Sequence, residues 1–161
     1  MPLTAADRPR VAELADKVVL DTNNYMAWRD GHIPVIDSGE KTEHELRQEQ
    51  PPRSRVAKAF THIQAPVLLT ADRPALSVSS DFPDAVAPVN RLYDQFDFDT
   101  VDDTPLSESW RTAPGQPAWN HHDHQKRAEL ARNLRSARFV AHARPWSRAP
   151  DPAPHHREED S

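Results

Sequence analysis

The sequence contains no cysteine, and that absence removes disulfide bonds, zinc–thiolate sites and thiol nucleophiles together. Glycine is nearly as scarce, with 3 among 161 residues. A phosphate-cradling loop needs glycines close together, and the sequence holds neither a P-loop nor a G-x-G-x-x-G fingerprint. A G-x-S-x-G nucleophile elbow is missing as well. No window approaches the ~18 apolar residues of a membrane-spanning helix, and no basic stretch followed by an apolar run opens the chain. Large apolar residues are also few. Leu, Ile, Val and Phe together number 30, under a fifth of the chain, so only a modest core can form.

Proline, by contrast, is abundant: its 16 copies are about twice the ordinary share. Arginine supplies 16 of the 20 cations, and the net charge is −5. This combination reads as a mainly α protein. The expectation is one small irregular helical domain over 1–142, with extended proline-rich arms and at most a minor β element. The polar, proline-rich residues 143–161 read as a disordered tail. The charge is unevenly spread. Residues 81–108 hold eight acids against Arg91, and residues 126–148 hold seven bases against Glu129. Such blocks can pair with each other, across a subunit contact, or with separate partners.

Taken in order, residues 7–29 fit a long helix, with Asp7 as cap and Pro9 in the first turn. The competing reading makes Val18-Val19-Leu20 a short strand ending at Asp21. HIPVIDS (32–38) fits an edge strand or arm, because Pro34 interrupts it. Thr42 and Glu45 form a T-x-x-E capping box, which predicts a short helix up to Pro51. Residues 54–63 carry Val56, Phe60 and Ile63 on one helical face. VLLT (67–70) is the best strand candidate. Pro74, Pro83 and Pro88 speak against a long helix over 73–88, and Val89 to Phe96 fits two turns. Residues 105–117 read as a loop. The clearest element is a helix over 117–141, with Trp119, Leu130, Leu134, Ala137 and Ala141 on one stripe and Arg127, Arg132, Arg135 and Arg138 on an adjoining arc.

Four features carry candidate chemistry. VVLDTN (18–23) and VLLTAD (67–72) each end an apolar run in acids, and they resemble the opening and closing motifs of PIN-domain ribonucleases. The resemblance implies metal-dependent cleavage of RNA, with Asp21 and Asp72 as ligands and Glu43 or Glu45 as the third acid. His121 and His124 stand at a spacing that can place two imidazoles on one metal, but two ligands make no structural site, and no metal or cofactor is expected. The arginine arc could track a nucleic-acid backbone, although the net charge is negative and no helix-turn-helix or RNA-binding signature precedes it. Finally, Phe96, Asp97, Phe98 and Asp99 resemble a docking segment, with aromatic anchors flanked by carboxylates for a basic partner.

The sequence thus points away from an enzyme. It reads as a non-catalytic interaction or structural protein of an oligomer or larger assembly, for which a phage or bacterial assembly component would fit, joined through complementary acidic and basic surfaces. A protein partner or second copy is expected, nucleic acid is the next reading, and no membrane partner is implied. The expected location is the cytoplasm, or a virion if phage-encoded.

Overall fold

Residues Val18–Asp21 form a strand, β1, in place of the middle of a long helix. Two β-branched residues in succession suit an extended backbone, and β2 (Arg55–Lys58) lies parallel alongside, with Val19 opposite Val56 and Asp21 opposite Lys58. The computed structural model describes residues 11–64, 68, 72–119 and 125–140. Within them the order is a 3-10 turn (Val11–Leu14), β1, α1 (Ala27–Asp30), α2 (Pro34–Asp37), α3 (Glu43–Glu49) and β2. There follow β3 (Ala75–Ser80), α4 (Pro83–Gln95), β4 (Asp99–Asp102), a 3-10 helix (Leu106–Thr112) and α5 (Arg127–Ser136).

The strands make one mixed sheet in the order β1-β2-β3-β4. The two outer pairs are parallel, and β2 meets β3 antiparallel. The architecture is therefore α/β, and this corrects the mainly α reading. The correction has a physical cause. Residues 55–58 have helical spacing, but Val56, Ala57 and Lys58 are fully buried between β1 and β3, so cross-strand pairing decides the conformation. β3 is buried along all six residues, as a central strand covered on both faces must be.

One face of the sheet is apolar. Ala57, Ala59, Leu76 and Val78 pack against Ala85, Val89 and Tyr93 of α4 and against Phe98. Pro83 sits at the start of α4, where its missing N–H costs nothing. Pro88 lies inside the helix and forfeits only the bond to the Asp84 carbonyl, so it does not break α4. Tyr93 ties the layer together: its hydroxyl donates to the Ser77 carbonyl at 2.9 Å and accepts from Phe60 N–H at 2.9 Å. Tyr93→Phe is expected to cost about 1–3 kcal/mol, because it strands two buried backbone groups. Urea unfolding would check this, and an unchanged midpoint would refute it.

The opposite face is covered by α3, the 3-10 helix and α5. The capping box forms as expected, with Thr42 N–H on Glu45 Oε2 and Glu45 N–H on Thr42 Oγ1. α5 begins at Arg127 and not at Pro117. Its Leu130 and Leu134 bury against Ala75 and Ala118, and Trp119 is not part of the helix. HIPVIDS contains a helical turn because Pro34 starts it instead of interrupting a strand. Residues 106–112 are 3-10 helix within the expected loop. Most of VLLT, His121, His124 and residues 143–161 lie outside the described residues. Among those described, no helix is long and apolar enough to cross a membrane.

Candidate functional site

The strand register lines up a polar row across the second face of the sheet. Asp21 stands opposite Lys58, Lys58 opposite Ser79, and Asp103 follows the register in which Val78 faces Asp102. All four residues are buried. Burying a row of charges and hydroxyls is costly unless they are paired, so their partners define the site.

At the β1 end, α3 lays His44 over Asp21. His44 Nδ1 is 2.9 Å from Asp21 Oδ2, and His44 Nε2 is 3.2 Å from Glu43 Oε1. Arg47 Nε lies 3.6 Å from the same Asp21 oxygen, and Asn23 donates to the other. Burial opposes charge on Asp21, but the hydrogen bond and charge of His44, then Arg47 and the Asn23 N–H, outweigh it and hold the carboxyl below its ordinary value. Burial likewise opposes charge on His44, yet Glu43 and Asp21 raise the imidazole above its ordinary value. The result is a chain of contacts running from the Glu43 carboxylate through the His44 imidazole to the Asp21 carboxylate.

In the middle of the row, Lys58 Nζ donates to Ser77 Oγ at 3.0 Å. Ser77 then offers both its hydroxyl, at 3.1 Å, and its N–H, at 3.0 Å, to His62 Nε2. Accepting there puts the ring proton on Nδ1 and keeps His62 neutral. Burial, followed by the Lys58 charge, lowers His62 to about 3. Burial also lowers Lys58 to about 8, against the opposing pull of Asp103 and Glu43. At the far end, burial raises Asp103 although Lys58 and Arg111 counter it. Arg111 pairs with its Oδ1 at 2.9 Å, while Oδ2 has no hydrogen-bond partner.

A cleft of about 1330 Å³ is lined by the segment from Tyr25 to Ile36, the start of α3 and the 3-10 helix with the residues after it. Tyr25, Met26, Trp28 and Ile36 line one side, and Trp110 and Phe139 the other. Thr42, Glu43 and Ser109 are polar points in its wall. Ser109 Oγ is buried and has no partner. Trp28 is 83% exposed, a large apolar surface that folding leaves open. Phe139 crosses Trp110 edge to face at 5.7 Å and lies against Gly39, where any Cβ would collide with the ring. The rim is braced by Asp37, which accepts from Tyr25 Oη at 2.8 Å and meets His32 Nδ1 at 2.9 Å.

Two solved structures resemble this arrangement. One, from Arthrobacter sp. FB24, is provisionally named an F420-dependent NADP reductase. It superposes with a TM-score of 0.54 at 19% identity, over 62% of this chain and 48% of that one. The other, hypothetical protein SMa0349 from Sinorhizobium meliloti, gives a TM-score of 0.53 at 26% identity, over 66% and 56%. The fold is Rossmann-like. The chain thus spans about half the length of each structure it resembles. No known protein family matches the sequence, and no curated protein does.

The residues singled out from the sequence fall elsewhere. The PIN-like set does not assemble: Asp21 binds His44, Glu45 caps α3, and Asp72 pairs with Lys126 at 2.8 Å. Among the described residues, no cluster of three His, Asp or Glu is arranged to hold a metal. Arg127, Arg132, Arg135 and Arg138 are exposed on or just after α5, and no described carboxylate pairs with them. Arg138 instead donates to the Ala137 carbonyl. The acids expected to meet that arc are taken by Arg73, which binds Asp94, Asp97 and Asp99 at once. The docking segment is divided too, since Phe98 is core and Phe96 is 44% exposed. Together with the fold, these placements overturn the reading of a non-catalytic assembly protein joined by acidic and basic surfaces, and with it the PIN-like alternative.

Proposed function

We propose that this chain is an oxidoreductase-type domain that holds a flat redox ring in the aromatic cleft. The carrying observation is the lining of that cleft. Tyr25, Trp28, Trp110 and Phe139 wall it, with Thr42, Glu43 and Ser109 as a few polar points, the make-up of a small-molecule pocket. The name of the Arthrobacter neighbour, which joins F420 with NADP, supports a ring ligand of that kind.

The chain fits one part of such ligands and not another. Trp28, Trp110 and Phe139 offer faces and edges on which a flat ring stacks, and Ser109 Oγ offers an unused polar atom. A dinucleotide pyrophosphate finds no cradle, because the connection from β1 to α1 contains no glycine and α1 is a single turn. The assignment therefore concerns the ring and not the phosphates. Redox exchange would be carried by the bound ring. This chain's own part is to stack it, exclude water from one side, and offer the Glu43 carboxylate as a proton acceptor. That carboxylate faces the cleft and rests on His44 behind it. Catalysis in the cytoplasm is part of the same proposal.

Titration of the chain with F420 or NADP, followed by tryptophan fluorescence, tests the reading. Saturable quenching is expected, weakened about tenfold or more by Trp110→Ala, the value of one lost stacking contact. Glu43→Gln should leave that affinity in place while lowering turnover roughly a hundredfold or more. Absence of quenching by either ligand would overturn the proposal.

A further inference from the structure

The two edges of the sheet are built differently. β4 carries Asp99 and Asp102, charges of the kind that keep an edge strand from pairing further. β1 presents Val18, Val19 and Leu20 in a row, with no proline and no bulge, and Leu20 is 37% exposed. No described strand lies on its outer side. The inner side is fixed by the ladder to β2: the Lys17 carbonyl accepts from Arg55 N–H at 2.9 Å, and the Asp21 carbonyl from Ala59 N–H at 3.0 Å. Alternate residues of a strand turn their backbone groups to opposite neighbours. Lys17, Val19 and Asp21 therefore serve β2, while the N–H and C=O of Val18 and Leu20 point away from the sheet.

We propose that this edge binds a second copy of the same chain, the two β1 strands pairing antiparallel about a twofold axis at Val19. In that register Val18 of one copy faces Leu20 of the other, and the outward N–H and C=O groups of both residues bond across the joint. Val18 already packs on the α4 side of the sheet, so Val18 and Leu20 meet there and extend the apolar face across the axis. The same register sets Lys17, which is exposed, opposite Asp21, whose carboxylate is buried and held by His44, Arg47 and Asn23, so the joint rests on the apolar pair and the backbone bonds. Neighbouring registers lack this match. A twofold at Val18 sets Leu20 against Asp16, and a twofold at Leu20 sets Val18 against Thr22. The pairing joins two four-stranded sheets into one. A strand this short makes a small interface, so the dimer is weak and concentration-dependent.

Sedimentation equilibrium of the full chain over about 1 to 200 µM, a range suited to small interfaces, is the first test. A monomer–dimer equilibrium is expected, with Leu20→Lys weakening it about tenfold or more while circular dichroism stays unchanged. A second variant works even if Leu20→Lys fails to fold. Val19→Cys places two thiols across the axis at a narrow pair with a Cα separation of about 4.5 Å, within disulfide reach. The chain has no other cysteine, so a covalent dimer formed under mild oxidation reports this register alone. A chain that stays monomeric at the highest concentration leaves the edge to some other partner and overturns the proposal. So does a dimer that Val19→Cys cannot lock, because it uses another face.

Discussion

Asp21→Ala is expected to cost about 3–5 kcal/mol of folding free energy, a fall of roughly 10 °C in melting temperature for a chain of this size. The buried carboxylate satisfies His44, Asn23 and Arg47 together, and its removal leaves His44 charged with Glu43 alone. The loss should also depend on pH in a defined direction. The folded Asp21 titrates below its ordinary value of 3.8, so its contribution is present above that value and fades as pH falls through the folded pKa. The folded His44 titrates above 6.5, so its contribution is complete below 6.5 and fades as pH rises through the folded pKa. The difference between wild type and variant is therefore largest between about pH 4 and 6.5 and shrinks on both sides. Urea unfolding at pH 3, 5 and 9 measures it. A difference that stays flat across that range would mean the pair does not carry charge.

Some of this structure can be read from the residues. The capping box at Thr42 and Glu45 is a local device, and it forms where the spacing places it. The strand at Val18–Asp21 is one of two open readings, and the helical one fails because its apolar spacing is equally that of a strand joined to loops. The sheet itself is hidden. β2 and β3 are short, and their conformation depends on neighbours far along the chain, with Ala57 against Leu20 on one side and Ser80 on the other. Proline counting misleads at Pro34 and Pro83, which begin helices, and at Pro88, which an interior position tolerates. Two signals of the site are nonetheless present. Lys58 sits inside the apolar run VAKAF, a setting in which a lysine must be buried or turned out, and His44 falls in the first turn of a capped helix between two glutamates. The partners Asp21, Ser77 and Asp103 come from three other strands or their ends, and no local pattern links them. The aromatic cleft is of the same kind, because Trp28, Trp110 and Phe139 are brought together from three separate parts of the chain.

Lys58→Met should lower stability at pH 7 by about 1–3 kcal/mol although methionine fits an apolar interior better than an ammonium. Two effects oppose each other here. The buried amine titrates at about 8, well below 10.5, so between those values the unfolded chain holds more protons than the folded one and stability rises with pH. Taken alone, the charged amine is a cost at neutral pH that methionine would relieve. Its removal, however, leaves Asp103 buried with one fewer cation nearby and with Oδ2 still lacking a hydrogen bond. It also strips Ser77 Oγ of its donor. Asp103 then keeps Arg111 alone, and the loss of the ammonium together with the Ser77 donor costs more than relieving its burial gains, so the single variant loses stability. Adding Asp103→Asn removes that carboxylate, and Arg111 keeps Glu108 at 2.5 Å as a partner. The double variant should therefore recover at least about 1 kcal/mol relative to the sum of the two singles. The rise in stability between about pH 8 and 10.5 should vanish in both lysine variants and persist in Asp103→Asn. Additive losses would place Lys58 and Asp103 in separate environments, and a pH rise surviving Lys58→Met would assign that proton to another group.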